Sequence, residues 1–206
     1  MVNNVYVKID MIKLIKHKFK HYIIEPEKWR NWDEPTVREF KGKKVVGRPT
    51  KGYGDSTFTY AGKEYKPEPW SNNYLVNAIK ENIEKMFDAK FTFCLCGYYG
   101  EDGKGLPHHS DTVPTLDDLV VSISLGGPRI FQWHQYDCQI KPETNTSELY
   151  KYIQPVLGVN AEEHNYILED GDIIVFDGNS QMCATHAVLP MEHAAPRINL
   201  TYRTGI

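Results

Sequence analysis

Pro196-Arg197-Ile198-Asn199-Leu200-Thr201-Tyr202-Arg203, near the C-terminal end of the 206 residues, runs on a period of two. Side chains alternate across a strand, so Arg197, Asn199, Thr201 and Arg203 share one face, with Ile198, Leu200 and Tyr202 on the other. Two guanidiniums on one wall repel each other unless an anion sits between or beside them. Arg is the side chain suited to holding a carboxylate in fixed, bidentate geometry. The plain alternative is a solvent-facing strand with surface charges; the company this strand keeps argues against it.

Upstream, the same period recurs in short runs separated by turn residues. Strands are expected at Phe91–Tyr99, Leu119–Leu125, Ile130–Trp133 (after the Gly126-Gly127-Pro128 turn), Tyr166–Leu168, Ile173–Phe176 and Ala184–Leu189. A Gly-rich loop, Gly100–Gly105, follows the first, and a short helix is expected around Ser147–Ile153. Many short strands at this spacing indicate a sandwich or jelly roll, in an α+β chain that is mainly β. One scaffold helix precedes them. Ser71 is its expected cap, Leu75, Val76, Ile79, Ile83, Met86 and Phe87 its buried stripe, and about Lys90 its end.

The first part of the chain is different. Residues 1–51 hold 13 Lys and Arg against 6 Asp and Glu, while the remainder holds 11 against 21. Such asymmetry points to a polyanionic partner, nucleic acid first, with a solvated basic face as the equal rival. Ile9 to Phe19 show partial helical spacing, Tyr22-Ile23-Ile24 could be a short strand, and Val37–Val46 reads as a strand. Between Lys51 and Gly62, Tyr53 lies on a Gly-flanked, flexible approach, and Phe58 and Tyr60 share a face of a short strand. Aromatics in such a segment can stack on bases, though packing onto a core is the commoner use. The expected division is 1–70 as a basic extension and lid, and 71–206 as the core. No apolar run approaches membrane-spanning length, and the first residues do not begin a secretory signal. The four cysteines, Cys94, Cys96, Cys138 and Cys183, show no zinc-type spacing and read as free buried thiols in a reducing compartment. The expectation is an intracellular protein, cytoplasmic or nuclear, and a monomer.

His109-Ser110-Asp111 places an imidazole and a carboxylate on one face of an extended segment, and His186 follows just before the two-Arg strand. Two His and one carboxylate make the ligand set that leaves open positions on non-haem Fe(II). A lone His-x-Asp is weak; with a distant His and then paired Arg it is much stronger. Paired Arg supply the anion site a 2-oxo acid needs, which favours oxygen chemistry over zinc. His108 faces away from that segment's ligand face. His134, His164 and His193 lack a carboxylate at useful spacing, so structural roles are expected, and Cys183 is taken as a small apolar thiol.

These residues resemble the AlkB family of Fe(II)- and 2-oxoglutarate-dependent nucleic-acid dealkylases. The resemblance is carried by His109-Ser110-Asp111, Ser124-Leu125-Gly126 with Arg129-Ile130-Phe131, Gly171-Asp172, His186 and above all the Arg-x-Asn-x-Thr-x-Arg of residues 197–203. It extends from about Arg48 to the C-terminus. It implies a double-stranded β-helix (jelly roll) with His109, Asp111 and His186 on iron. Arg197, Tyr99 and Asn199 would hold the distal carboxylate of 2-oxoglutarate, with Arg203 nearer the metal-bound one. Tyr53, Phe58 and Tyr60 would belong to a nucleotide-recognition lid, with Arg129 also toward substrate. The implied reaction consumes O2 and 2-oxoglutarate, yields succinate and CO2, and hydroxylates an N-alkyl carbon of a base in DNA or RNA, which then leaves as an aldehyde. Such roles fit DNA repair or RNA demethylation, on a base flipped from its stack or taken from a single strand.

Three positions depart from the family pattern: Gly97 for Asn, Val113 for an acidic residue and Ala184 for an aromatic. They motivate two other readings. One is a 2-oxoglutarate oxygenase with another target, an unusual nucleobase or a protein side chain. The other is a nucleic-acid-binding module with a vestigial pocket.

Overall fold

The 197–203 strand lies in the middle of a six-stranded antiparallel sheet, with a neighbour bonded along each edge. A computed structural model describes residues 12–22, 29, 32–35, 37–40, 42–60, 63–111, 118–136, 162–178, 180 and 183–204. Its elements in chain order are β1 (Ile12–Ile15), β2 (Val37–Phe40), β3 (Lys43–Val46), β4 (Thr50–Gly54), β5 (Phe58–Tyr60), β6 (Lys63–Tyr65), α1 (Tyr74–Phe87), β7 (Phe93–Tyr99), β8 (Leu106–His109), β9 (Leu119–Gly126), β10 (Arg129–Gln135), β11 (Glu162–Leu168), β12 (Ile173–Asp177), β13 (Ala184–Val188) and β14 (Arg197–Arg203). The major sheet runs β1-β12-β9-β14-β7-β4, and a minor sheet runs β11-β10-β13-β8. β2–β3 and β5–β6 form two separate ladders. The architecture is the expected jelly roll.

The period-two reading of β14 decides how the layers meet. Ile198, Leu200 and Tyr202 are fully buried in one apolar cluster with Val76, Ile79 and Ile83 of α1. The Tyr202 hydroxyl donates to the Val76 carbonyl at 2.8 Å, so the one polar atom on that face is satisfied. The opposite face of the sheet turns toward the minor sheet, and a second cluster (Phe131, Trp133, Ile174, Phe176 and neighbours) fills the space between them.

Several expectations are corrected. The cap of α1 is Asn73, not Ser71: its side chain accepts from the Val76 N–H at 3.1 Å, as a residue three before that donor can. The helix stops at Phe87, where Asp88 turns left-handed at φ 48°. Residues 37–46 are a hairpin turning at Gly42 rather than one strand. Helical spacing around residues 9–19 gives way to β1, because pairing with β12 buries its apolar residues better than an isolated amphipathic turn would. β4 pairs with β7, so strands from both sides of residue 70 share one sheet, and Phe19 and Tyr53 share one core with α1. Cys94 and Cys96 are free and buried, but Cys183 is disulfide-bonded. A disulfide follows from which Cβ atoms the fold brings together, which sequence spacing does not reveal. Among the described residues no helix is long and apolar enough to cross a membrane. The helix expected at 147–153, Val113 and Cys138 lie outside the described residues.

Candidate metal centre

Sheet register brings the two imidazoles together: His186 on β13 is the cross-strand partner of His109 on β8, and their rings lie 4.3 Å apart. Asp111, two residues beyond His109, reaches between them. Its Oδ1 is 3.8 Å from His109 Nε2 and its Oδ2 3.8 Å from His186 Nε2. Ligand atoms of all three residues fall within 4.8 Å of one another, the only such grouping of three among the described residues. The Ser110 hydroxyl donates to the Ala184 carbonyl at 2.6 Å, tying the His109–Asp111 turn to β13.

The ring nitrogens are oriented for coordination. His109 Nδ1 lies 2.8 Å from the Pro107 carbonyl, which can only accept, so the proton sits on Nδ1 and Nε2 keeps its lone pair. His186 is stacked on Phe131 and Trp133 at interplanar angles of 16° and 9°. Burial pushes both imidazoles down, His186 to about 3 with help from the neighbouring His109. They stay neutral at physiological pH, the form that binds a metal. Burial alone would raise the Asp111 carboxyl, but Arg203 and then the two imidazoles hold it down to about 2. Arg203 Nη1 sits 3.1 Å from Asp111 Oδ1 with both side chains buried, so the anion that paired guanidiniums require is partly supplied by the chain itself.

Arg197 is 1% exposed, which excludes the surface-strand reading. Its Nη2 donates to Ser124 Oγ (2.8 Å) and Asn199 Oδ1 (2.6 Å), and Asn199 Nδ2 donates to Thr201 Oγ1. Burial lowers Arg197 to about 10, still a cation at neutral pH. Its Nη1 is buried with no partner among the described residues. A buried unpaired donor is costly, and here it borders the same pocket as the three candidate ligands. The Tyr99 ring lies 4.8 Å from the Arg197 guanidinium. A divalent metal fits the two imidazoles and the carboxylate, and a carboxylate-bearing ligand fits the orphaned N–H beside them.

Other sequence-derived site residues end elsewhere. Tyr53 is 4% exposed, within the β4–β7 ladder and the α1 core, with its hydroxyl toward Asn73. Its flanking Gly54 lets the Thr92–Phe93 backbone approach, since a Cβ there would lie 2.3 Å from the Thr92 carbonyl. Arg129 is also buried, donating to the carbonyls of Pro128, Ala195 and Gly100. Its guanidinium fastens these loops together. Phe58 and Tyr60 lie on β5, but their side chains are outside the described residues. His108 is hydrogen-bonded to Thr185 and Gln132, away from the metal ligands. His134 and His164 do have carboxylates, Glu163 and Glu162, supplied across β10–β11 and within β11. Ala184 is fully buried in the inter-sheet cluster and does not line the pocket.

Ser122, and the contact of the motif residue Ser124 with Arg197, carried no assignment, although the polar-apolar alternation of Val121-Ser122-Ile123-Ser124-Leu125 marks both as facing Asn199 and Arg197. Arg48, Leu106, Phe131, Phe176 and Val188 also line the pocket and carried no signal of their own.

A sequence profile described as the 2OG-Fe(II) oxygenase superfamily matches residues 13–203. The chain is 28% identical over 161 residues to the mouse protein named alpha-ketoglutarate-dependent dioxygenase alkB homolog 3, covering 76% of this chain and 51% of that one. The rat protein of the same name is 27% identical over 161 residues, with 76% and 50% covered. The chain thus spans about half the length of these curated relatives. The solved structure of OsALKBH1 superposes with a TM-score of 0.50 at 17% identity, covering 94% of this chain and 98% of that one, a likeness of fold.

Proposed function

Because this chain belongs to the 2OG-Fe(II) oxygenase superfamily, we propose that it is an oxidative dealkylase of bases in DNA or RNA, with His109, Asp111 and His186 holding the metal. The superfamily's co-substrates are 2-oxoglutarate and O2. Bound Fe(II) supplies the chemistry that couples decarboxylation of 2-oxoglutarate to insertion of one oxygen atom into a substrate C–H bond, giving succinate and CO2. On an N-methyl group the hydroxylated carbon leaves as formaldehyde and the base is restored.

The chain's own residues do the positioning. Arg197, fixed by Ser124 and Asn199, offers its unpaired Nη1 to a carboxylate of 2-oxoglutarate, with Tyr99 beside it. Arg203 holds Asp111 ionised and in place as a ligand. His109, oriented by the Pro107 carbonyl, and His186, stacked on Phe131 and Trp133, present nitrogens held beside Asp111 for metal binding. Phe131, Phe176, Leu106 and Val188 make the pocket wall apolar and limit water near the reacting carbon.

The observation that carries the proposal is the convergence of these three ligands on the same pocket as a buried, unsatisfied Arg197. Nucleic acid as the target rests on the likeness to proteins named alkB homologs and on the basic bias of residues 1–51. Among the described residues of that stretch, Lys16 is engaged with Glu169 and Asp172, Lys51 with Asp33 and Glu68, and Arg48 lines the pocket. The test is a panel of oligonucleotides with N-methylated and unmodified bases, single- and double-stranded, incubated with Fe(II), 2-oxoglutarate and O2. Formaldehyde release matched to succinate, abolished by His109→Ala, is expected. Succinate formation without demethylation of any member would move the activity to another target, and no succinate at all would leave a binding module.

A further inference from the structure

Tyr99 is flanked within the sheet by two guanidiniums. On one side β14 places Arg197 directly opposite it. On the other, the β4–β7 register pairs Thr50 with Gly97, and the chain runs on through Pro49, whose carbonyl accepts from Tyr98 N–H at 2.9 Å. Continued two residues, that register sets Arg48 across from Tyr99, and its Cζ lies 4.3 Å from the ring centroid. Gly97 leaves room for this arrangement. A Cβ at that position would stand 3.3 Å from Arg48 Cδ, so a larger residue would need the Arg48 stem to give by a few tenths of an ångström.

Arg48 has no ion-pair partner among the described residues, and it lines the same pocket as Arg197 and Arg203. Three guanidiniums there face the single carboxylate of Asp111, and the field of Arg48 is felt at Arg197. Like charges sharing a partly desolvated pocket repel one another. A ligand with two negative ends relieves the repulsion and fills the orphaned Arg197 donor at once.

We propose that Arg48 is a co-substrate-binding residue, closing the side of the slot left open by Gly97 and contacting a carboxylate of 2-oxoglutarate together with Arg197. This deepens the oxygenase reading and rests on it. A phosphate of the nucleic-acid substrate is the other anion Arg48 could meet, and the two are separable.

The experiment is calorimetric titration of 2-oxoglutarate into the full chain loaded with Mn(II), which permits binding without turnover, for the unaltered protein, Arg48→Met and Arg48→Lys. Met keeps the stem that packs over Gly97 and removes the charge. Loss of one charge-assisted contact predicts a dissociation constant raised about ten-fold or more in Arg48→Met, with a smaller rise in Arg48→Lys. The melting midpoint without ligand should be unchanged or raised, and the KM for 2-oxoglutarate should rise while that for the oligonucleotide stays put. Binding by Arg48→Met within two-fold of the unaltered protein would overturn the inference. So would a rise confined to the oligonucleotide KM, which assigns the guanidinium to a phosphate. If the unaltered chain itself bound no 2-oxoglutarate, the oxygenase reading would fall first and this inference with it.

Discussion

On one side of β14, Ile198, Leu200 and Tyr202 lie buried against α1; on the other, Arg197 and Arg203 lie equally buried against the candidate metal centre. The two faces are made by one strand, one residue out of phase, yet their energetics run in opposite directions. Removing a Leu side chain from water stabilises the fold by about 1.5–3 kcal/mol. Removing a guanidinium costs several kcal/mol before its contacts return anything, and Arg197 keeps its Nη1 amino group unsatisfied. The apolar face holds the sheet on its helix. The charged face is a cost carried by the fold, and what it offers is a prepared site for an anion.

The largest expected effect falls on the charged face. Arg197→Met should weaken 2-oxoglutarate binding by about a hundred-fold or more, as truncating a buried charged partner does, while leaving the stability of the ligand-free chain unchanged or raised. Calorimetry and chemical denaturation of the same sample check both halves. If Arg197→Met unfolded the chain as readily as a core truncation, the contrast between the faces would fail.

Leu200→Ala should do the reverse. A fully buried Leu in the α1 cluster predicts a loss of about 2–5 kcal/mol in denaturant unfolding, with turnover per folded molecule retained. A loss of turnover out of proportion to the unfolded fraction would show that helix packing sets the site geometry. Smaller again is Asn73→Ala, which removes the side-chain cap of α1 and should cost about 1 kcal/mol with no change in 2-oxoglutarate affinity.

Acid provides the mildest probe. Glu84, nearly buried at the end of α1, accepts from Phe91 N–H and pairs with Lys80 and Lys90; burial opposes this, yet the net effect holds its carboxyl below the usual range. A depressed carboxyl contributes stability that is present above its unfolded pKa, about 4.3, and is lost as pH falls through the lower folded value. The stability gap between the unaltered chain and Glu84→Gln should therefore narrow below about pH 4.3. A gap that stayed constant would mean the charge is not what Glu84 contributes.

The charged face was readable because its residues are local: alternation in 197–203 and the two-residue step from His109 to Asp111 need no knowledge of what lies opposite. Their meeting with His186 is a fact of β8–β13 register, inferred from residue type alone. What stayed hidden was settled across strands. β1 looked helical because Lys punctuates its apolar residues at helical intervals, and only β12 gives it a sheet to join. Tyr53 looked mobile because glycine flanks it, whereas those glycines serve close packing against β7 and Pro67. Arg129 looked available because charge suggests a surface, and nothing local announces the loop carbonyls that take its protons. Arg48 gave no hint because its neighbours Gly97 and Tyr99 come from a strand some fifty residues later.

We infer that His109, Asp111 and His186 gather one divalent ion beside a guanidinium-lined slot. Equilibrium binding of Mn(II) can be followed by the loss of its free-ion paramagnetic resonance signal, with and without 2-oxoglutarate. One site per chain is expected, tightened by 2-oxoglutarate because each ligand raises affinity for the other, and abolished in His186→Ala. Mn(II) binding that survives His186→Ala, or that ignores 2-oxoglutarate, would refute the assignment.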